Sequence, residues 1–188
     1  MKHLNTYKIF ESNIDIKHEI DDILLDLTDN GYEVDVVSVD TIYPTVSITI
    51  NKSQYNSEFD DYDDIPFKID DVLIDSLARC NDYLDSKDYK TVNLLQLCFD
   101  RADLSRTLSI LKFKYFKTDK SDNYSGDFSF KKAGNIIRID GVDCHVNLVA
   151  SDTIWLRLYD YNKFNKLLDF SKRNKLGLFD IKLIYHKK

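Results

Sequence analysis

Apolar residues in the first third of the chain follow two different periods. Ile16, Ile20, Ile23, Leu24 and Leu27 recur at the i, i+4, i+7, i+8, i+11 spacing that lines one side of an α-helix. Lys17, Glu19, Asp22, Asp26 and Asp29 take the other side. Ser12 or Asn13 can accept from the first unpaired backbone N–H groups, and Gly31 can adopt the left-handed conformation that stops the helix. The period then drops to two. Tyr32, Val34 and Val36 alternate with Glu33 and Asp35, and Val46, Ile48 and Ile50 alternate with Thr45, Ser47 and Thr49. With Pro44 placed where its missing donor does least harm, residues 14–50 predict a helix followed by a hairpin that turns through Asp40 to Pro44.

Later segments read as partners for this unit. Leu4, Tyr7, Ile9 and Phe10 have no firm period and predict an edge strand or docking arm. Residues 51–64 are polar and predict a solvated loop. A second helix is expected from a cap at Asp64, with Pro66 in its first turn and Ile69, Val72, Leu73, Leu77, Cys80 and Leu84 as its stripe. Thr91 to Phe99 fits a buried strand or a helix start, and residues 100–108 fit one or two helical turns. Alternation returns at Leu111, Phe113 and Tyr115, opposite Lys112 and Lys114. Phe128 and Phe130 suggest another strand. Ile137 and Ile139 lead to a turn at Asp140-Gly141, and residues 142–150 and 153–159 continue an antiparallel meander. A third helix follows Asp160, with Tyr161, Phe164, Leu167 and Leu168 as its stripe, Lys172, Arg173 and Lys175 in its last turn and Gly177 as its stop. The last strand, Leu178 to Tyr185, places Phe179, Ile181, Leu183 and Tyr185 on one face.

These elements define an α+β fold: a single domain over residues 1–188, mainly antiparallel sheet, with two or three helices packed on one face and a pattern in part ferredoxin-like. An acidic subdomain 1–94 and a basic subdomain 95–188 form the alternative division. The composition, 43% hydrophobic with 5 Gly and 2 Pro in 188 residues, suits a sizeable core and argues against disorder. No apolar run approaches a membrane span, and residues 1–10 lack the apolar core of a secretory signal, so a cytoplasmic protein is expected. Cys80, Cys98 and Cys144 are odd in number and widely spaced, which points to reduced, buried thiols.

Charge divides the chain. The net −6 combines 8 Lys+Arg against 21 Asp+Glu in residues 1–94, a net of −13, with 18 against 11 in residues 95–188, a net of +7. Such asymmetry suits nucleic acid on a basic surface, a basic partner on an acidic surface, or attraction between the two halves. The acidic candidates are Glu19, Asp22, Asp26 and Asp29 on the first helix, with Glu58, Asp60, Asp61, Asp63 and Asp64 around Phe59 and Tyr62. That run lacks the spacing and terminal Glu of a calcium-binding EF-hand loop. The basic candidates are Lys112, Lys114, Lys117, Lys131, Lys132 and Arg138. Alternation turns the intervening aromatics away from these lysines, and 6 Arg against 20 Lys is a poor ratio for reading phosphates and bases.

Enzyme chemistry finds little support. No phosphate-cradling glycine loop, zinc-helix motif or nucleophile elbow occurs. Asp143, Cys144 and His145 bring nucleophile and base types together, yet on a strand Cys144 and His145 point to opposite faces, and a triad would need His18 or His186 from afar. No catalytic residue, metal site or cofactor is assigned.

The segments NIDIKHEIDDILLDLTDNGYEVDVV, TVSITI and FKIDDVLIDSLARCNDYL, preceded by NTYKIFES, resemble small uncharacterised accessory proteins of tailed bacteriophages. The likeness covers about the first half and is one of residue type more than identity. It implies an accessory phage role and carries no catalytic residues. The resulting expectation is a non-enzymatic binding protein that occupies a host protein, such as a defence protein, or sequesters a nucleotide signal. A virion or packaging component is the first alternative. A nucleic-acid binder using Lys112 to Arg138 is the second, and self-association into a homo-oligomer is a further expectation.

Overall fold

The computed structural model describes residues 16–39, 42–58, 61–100, 136–149 and 153–188. The expectations for residues 1–15, for helical turns within 101–108 and for strands near Phe113 and Phe130 lie outside the described residues. Within them the chain forms helices α1 (16–23) and α2 (Leu25–Asp29), strands β1 (Glu33–Val39), β2 (Thr45–Asn51), β3 (Ser53–Asn56), β4 (Asp61–Asp64) and β5 (Phe67–Lys68), and helix α3 (Asp71–Ser86). Strands β6 (Tyr89–Asp100), β7 (Ile136–Ile139), β8 (Val142–Val149) and β9 (Thr153–Leu158), helix α4 (Tyr161–Arg173) and strand β10 (Gly177–Lys187) follow.

One antiparallel sheet runs β1-β2-β10-β6-β9-β8-β7, with β5 pairing the first residues of β10. The centre is β10, which hydrogen-bonds to β2 along one side and to β6 along the other. Both β5 and β6 run antiparallel to β10, so they are parallel to each other; β9 and β10 flank β6 in the same way. Two split β-α-β units, β5-α3-β6 and β9-α4-β10, therefore interlock. This is the part of the ferredoxin-like pattern that the chain shares. Here the second strand of each unit lies inside, giving the order β5-β10-β6-β9.

Alternation assigns the two faces of the sheet. Val36, Val46, Ile48, Ile50, Leu97, Phe99, Ile154, Leu156, Leu158, Ile181, Leu183 and Tyr185 are all buried on one of them. Three helical stripes cover that face: Ile16, Ile20, Leu24 and Leu27 from α1 and α2; Leu73, Leu77, Cys80 and Leu84 from α3; Phe164, Leu167 and Leu168 from α4. The first of these stripes is read correctly by the sequence pattern, although its helix tightens at Leu24, where Leu27 N donates to Leu24 O at 2.9 Å. The expected hairpin forms in register, with Val36 opposite Ile48. Gly31 has φ +76°, so the left-handed stop falls where predicted.

Four local expectations are corrected. Residues 53–56 and 61–64 form the paired strands of the β3–β4 hairpin, because Ser53, Gln54 and Tyr55 pair with Asp64, Asp63 and Tyr62. The cap of α3 is Asp70, whose Oδ1 accepts from Leu73 N at 2.8 Å, while Asp64 belongs to β4. Lys175, with φ +53°, takes the left-handed position after α4, and Gly177 begins β10. A register shift between Leu178 and Asp180 sends Leu178 into the core and leaves Phe179 half-buried. The ambiguous stretch 91–99 is strand, and α4 begins at the predicted cap, with Asp160 Oδ1 accepting from Lys163 N at 3.0 Å.

Candidate functional site

The acidic candidates fall on two separate surfaces. Asp26 and Asp29 of α2, with Asn30, form one wall of a groove of about 720 Å³; Val72, Asp75, Ala78, Arg79 and Asp82 of α3 form the other. Asp75, Arg79 and Asp82 follow the i, i+4, i+7 spacing of a single helical side, so they stack along the groove while Leu73, Leu77 and Cys80 anchor the helix beneath. Arg79 spans the gap: its Nη2 donates to Asp26 Oδ2 at 2.6 Å and to Ser76 Oγ at 3.1 Å. Four carboxylates against one guanidinium leave the groove with a net negative charge, open to solvent. Asp75 and Asp82 were absent from the sequence-derived candidates. Their polar periodicity on α3 is the signal that marks them, but only the fold brings them opposite Asp26 and Asp29.

The remaining acidic candidates stand apart from this groove. Glu19 is half-buried and Asp22 is exposed, 3.7 Å from His18. Glu58, Asp63 and Asp64 are exposed on the β3–β4 hairpin, Asp61 contributes backbone to β4, and Asp60 lies outside the described residues. Among the described residues no group of three His, Cys, Asp or Glu side chains is placed to hold a metal ion.

Of the basic candidates, Lys112, Lys114, Lys117, Lys131 and Lys132 lie outside the described residues. Arg138 on β7 faces Asp143 on β8, donating from Nε to Oδ1 at 2.6 Å and from Nη2 to Oδ2 at 2.9 Å. This bidentate bond raises the Arg138 pKa and, as the largest cause, lowers that of Asp143. Arg138 is thus occupied by its own sheet. The two charge populations meet through the Lys172–Asp71 ion pair, while Arg173–Asp140 and Arg138–Asp143 join basic-half cations to basic-half acids.

Cys144 and His145 do project to opposite faces. Cys144 is fully buried and its thiol is pushed up to about 12 by desolvation, with Asp143 adding to the shift; such a thiol stays protonated and is a poor nucleophile. His145 lies on the face away from the helices, directly opposite Arg157 of β9 and edge-on to Tyr159 with ring centroids 5.1 Å apart. No helix among the described residues is long and apolar enough to cross a membrane.

Comparisons of the chain with protein-family models, with curated proteins and with solved structures find no match.

Proposed function

We propose that the protein is a non-enzymatic binding protein that receives a positively charged segment of a partner protein in the α2–α3 groove. The observation carrying this reading is the groove's composition: Asp26, Asp29, Asp75 and Asp82 converge from two helices, and only Arg79 among its lining residues is cationic. A like-charged cleft raises the local concentration of an oppositely charged partner and speeds its encounter. Val72 and Ala78 supply the apolar surface against which the stems of partner lysines or arginines can lie.

The phage resemblance makes a host protein the partner of choice. The test is a pull-down from bacterial host lysate at low and high salt, with the unaltered chain and the charge-reversed Asp29→Lys/Asp82→Lys variant side by side. A stoichiometric basic partner that is retained by the former and lost by the latter supports the proposal. Equal retention by both chains removes the groove from the interaction. Recovery of the protein in purified virions would favour the packaging role instead. The nucleic-acid alternative is weakened at one of its six residues by the Arg138–Asp143 pair.

A further inference from the structure

Asn51, the last residue of β2, is the direct register partner of Asp180 on β10. The preceding pair, Ile50 and Ile181, points into the core, so Asn51 and Asp180 share the other face, their Cβ atoms about 5 Å apart. Asn51 Oδ1 and Asp180 Oδ1 are both shielded from solvent, and neither receives a hydrogen bond. Shielded acceptors without donors cost free energy. A proton on the Asp180 carboxyl removes the deficit, because its O–H is the donor that Asn51 Oδ1 lacks.

The surrounding charges favour that proton. On β1, Glu33 is the register partner of Asn51, and its carboxylate accepts from Ser53 Oγ. On β6, buried Cys98 stands opposite Asp180, and Asp100 lies two residues beyond it. On β5, Lys68 pairs with Gly177, three residues before Asp180. The nearest cation along β10 is Lys182, and the nearest acid from outside the large sheet is Asp64 of β4. Burial pushes the Asp180 carboxyl up to about 6, with Lys182 opposing the rise and Asp64 adding to it. Ionised Asp180 therefore meets a like charge on Asp64 and leaves Asn51 Oδ1 unsatisfied. Protonated Asp180 does neither.

Asp64 belongs to a separate element. It pairs with Ser53 at the base of the β3–β4 hairpin, which forms its own two-stranded sheet and follows β2 after Lys52 alone. Ile65 N donates to Lys52 O at 2.9 Å and closes that base beside Asn51. The charge on Asp180 thus acts where the hairpin joins the large sheet.

We propose that Asn51 and Asp180 form a proton-operated latch, in which the protonated carboxyl donates to Asn51 Oδ1 and steadies the base of the β3–β4 hairpin, and loss of the proton loosens it. The step is a single ionisation: the carboxyl O–H breaks, its electron pair stays on the oxygen and the proton passes to water. Nothing else is consumed. The hairpin exposes Glu58, Asp63 and Asp64, so the proton sets how firmly an acidic surface is held. Neither latch residue lines the α2–α3 groove, and the inference is independent of the function proposed for it.

Two measurements on the full chain test the latch. In a carbon NMR titration of the aspartate carboxyls, the signal missing from Asp180→Asn should have its midpoint near 6. Asn51→Ala, shown to be folded by circular dichroism, removes the acceptor for the proton and should lower that midpoint by about one unit. An Asn51 amide that instead donated to ionised Asp180 would make the same substitution raise it. Amide hydrogen exchange, corrected for its intrinsic pH dependence, then reads the hairpin. Protection of β3 and β4 should fall about tenfold between pH 5 and pH 7.5. In Asp180→Asn, whose side-chain amide keeps a donor for Asn51 at both values, it should not change. Asp29→Lys/Asp82→Lys should behave as the unaltered chain, which separates failure of the groove from failure of the latch. A midpoint at or below about 4, or one that Asn51→Ala raises or leaves in place, overturns the proposal. So does hairpin protection that is the same at both pH values in the unaltered chain, or that falls equally in Asp180→Asn.

Discussion

Lys17 Nζ donates to the Val36 carbonyl at 2.6 Å, so a helix cation sits on the backbone of β1, the strand that ends the sheet among the described residues. Val36 faces Ile48 in the register, and its carbonyl would otherwise be offered to any extended chain that approached β1. A lysine over an edge-strand acceptor is a known means of discouraging strand-to-strand association.

Lys17→Ala should therefore leave the fold almost unchanged, at a cost of about 0.5 kcal/mol or less, while promoting self-association at high protein concentration. Sedimentation velocity across a concentration series reads the effect. Identical profiles for both chains would mean that the edge is protected without Lys17.

Asp70 serves two elements at once: Oδ1 caps α3, and Oδ2 accepts from Tyr32 Oη at 3.0 Å. Burial, reinforced by Asp70, holds the Tyr32 phenol well above its ordinary pKa. Asp70→Ala should cost about 1–2 kcal/mol, and Tyr32→Phe about 1 kcal/mol. Asp70→Asn, which can still cap, should recover much of the loss. Urea denaturation of the single and double variants measures the coupling, and strict additivity would show that the two residues act separately.

The pH dependence of stability has a specific expected contribution from Asp180. Burial pushes its carboxyl up to about 6; Asp64 adds to the rise and Lys182 opposes it. Against an unfolded value of about 3.9, the folded state binds the proton more tightly. The penalty is absent below about pH 4, sets in as pH rises to about 6 and is complete above that. Asp180→Asn should consequently raise the melting temperature at pH 8 and leave it little changed at pH 4. Thermal scans at both values test the sign; a stabilisation larger at pH 4 than at pH 8 would contradict it.

All three cysteines are buried, and burial pushes the Cys80 and Cys144 thiols up to about 12. At pH 8 the folded protein should react with a thiol reagent far more slowly than the urea-unfolded chain does. Rapid modification of the folded chain would mean that the sheet opens locally near β8 or α3.

Much of this architecture was legible because burial imposes a period. Ile16 to Leu27 and Tyr161 to Leu168 each present one apolar side, and Val46 to Ile50 one apolar face, so their partners could differ without changing the reading. The acidic stretch 51–64 hid a hairpin because β3 and β4 put little into the core. Asp64 was read as the cap of α3 because it precedes Pro66 and the apolar stripe; the short strand β5 then intervenes, and Asp70 takes the cap position while Tyr32 donates to its other oxygen. Phe179 was misread since a register shift breaks alternation without leaving a mark in residue type. The acidic face of the first helix was visible, but its completion by Asp75 and Asp82 depends on how α3 lies beside α2. Asn51 and Asp180 gave no signal at all: an amide and a carboxyl on separate strands become distinctive only when the register sets them opposite each other.

The central position of β10 also bears on how the molecule is made. Ile50 and Ile181 are direct partners, 131 positions apart, so β2 must wait for a strand synthesised much later before its second side is satisfied. Sheets closed by such distant pairings fold slowly. On the ribosome, the β1–β2 hairpin would carry an unsatisfied inner edge through most of elongation, a window in which a chaperone or a neighbouring nascent chain could reach it.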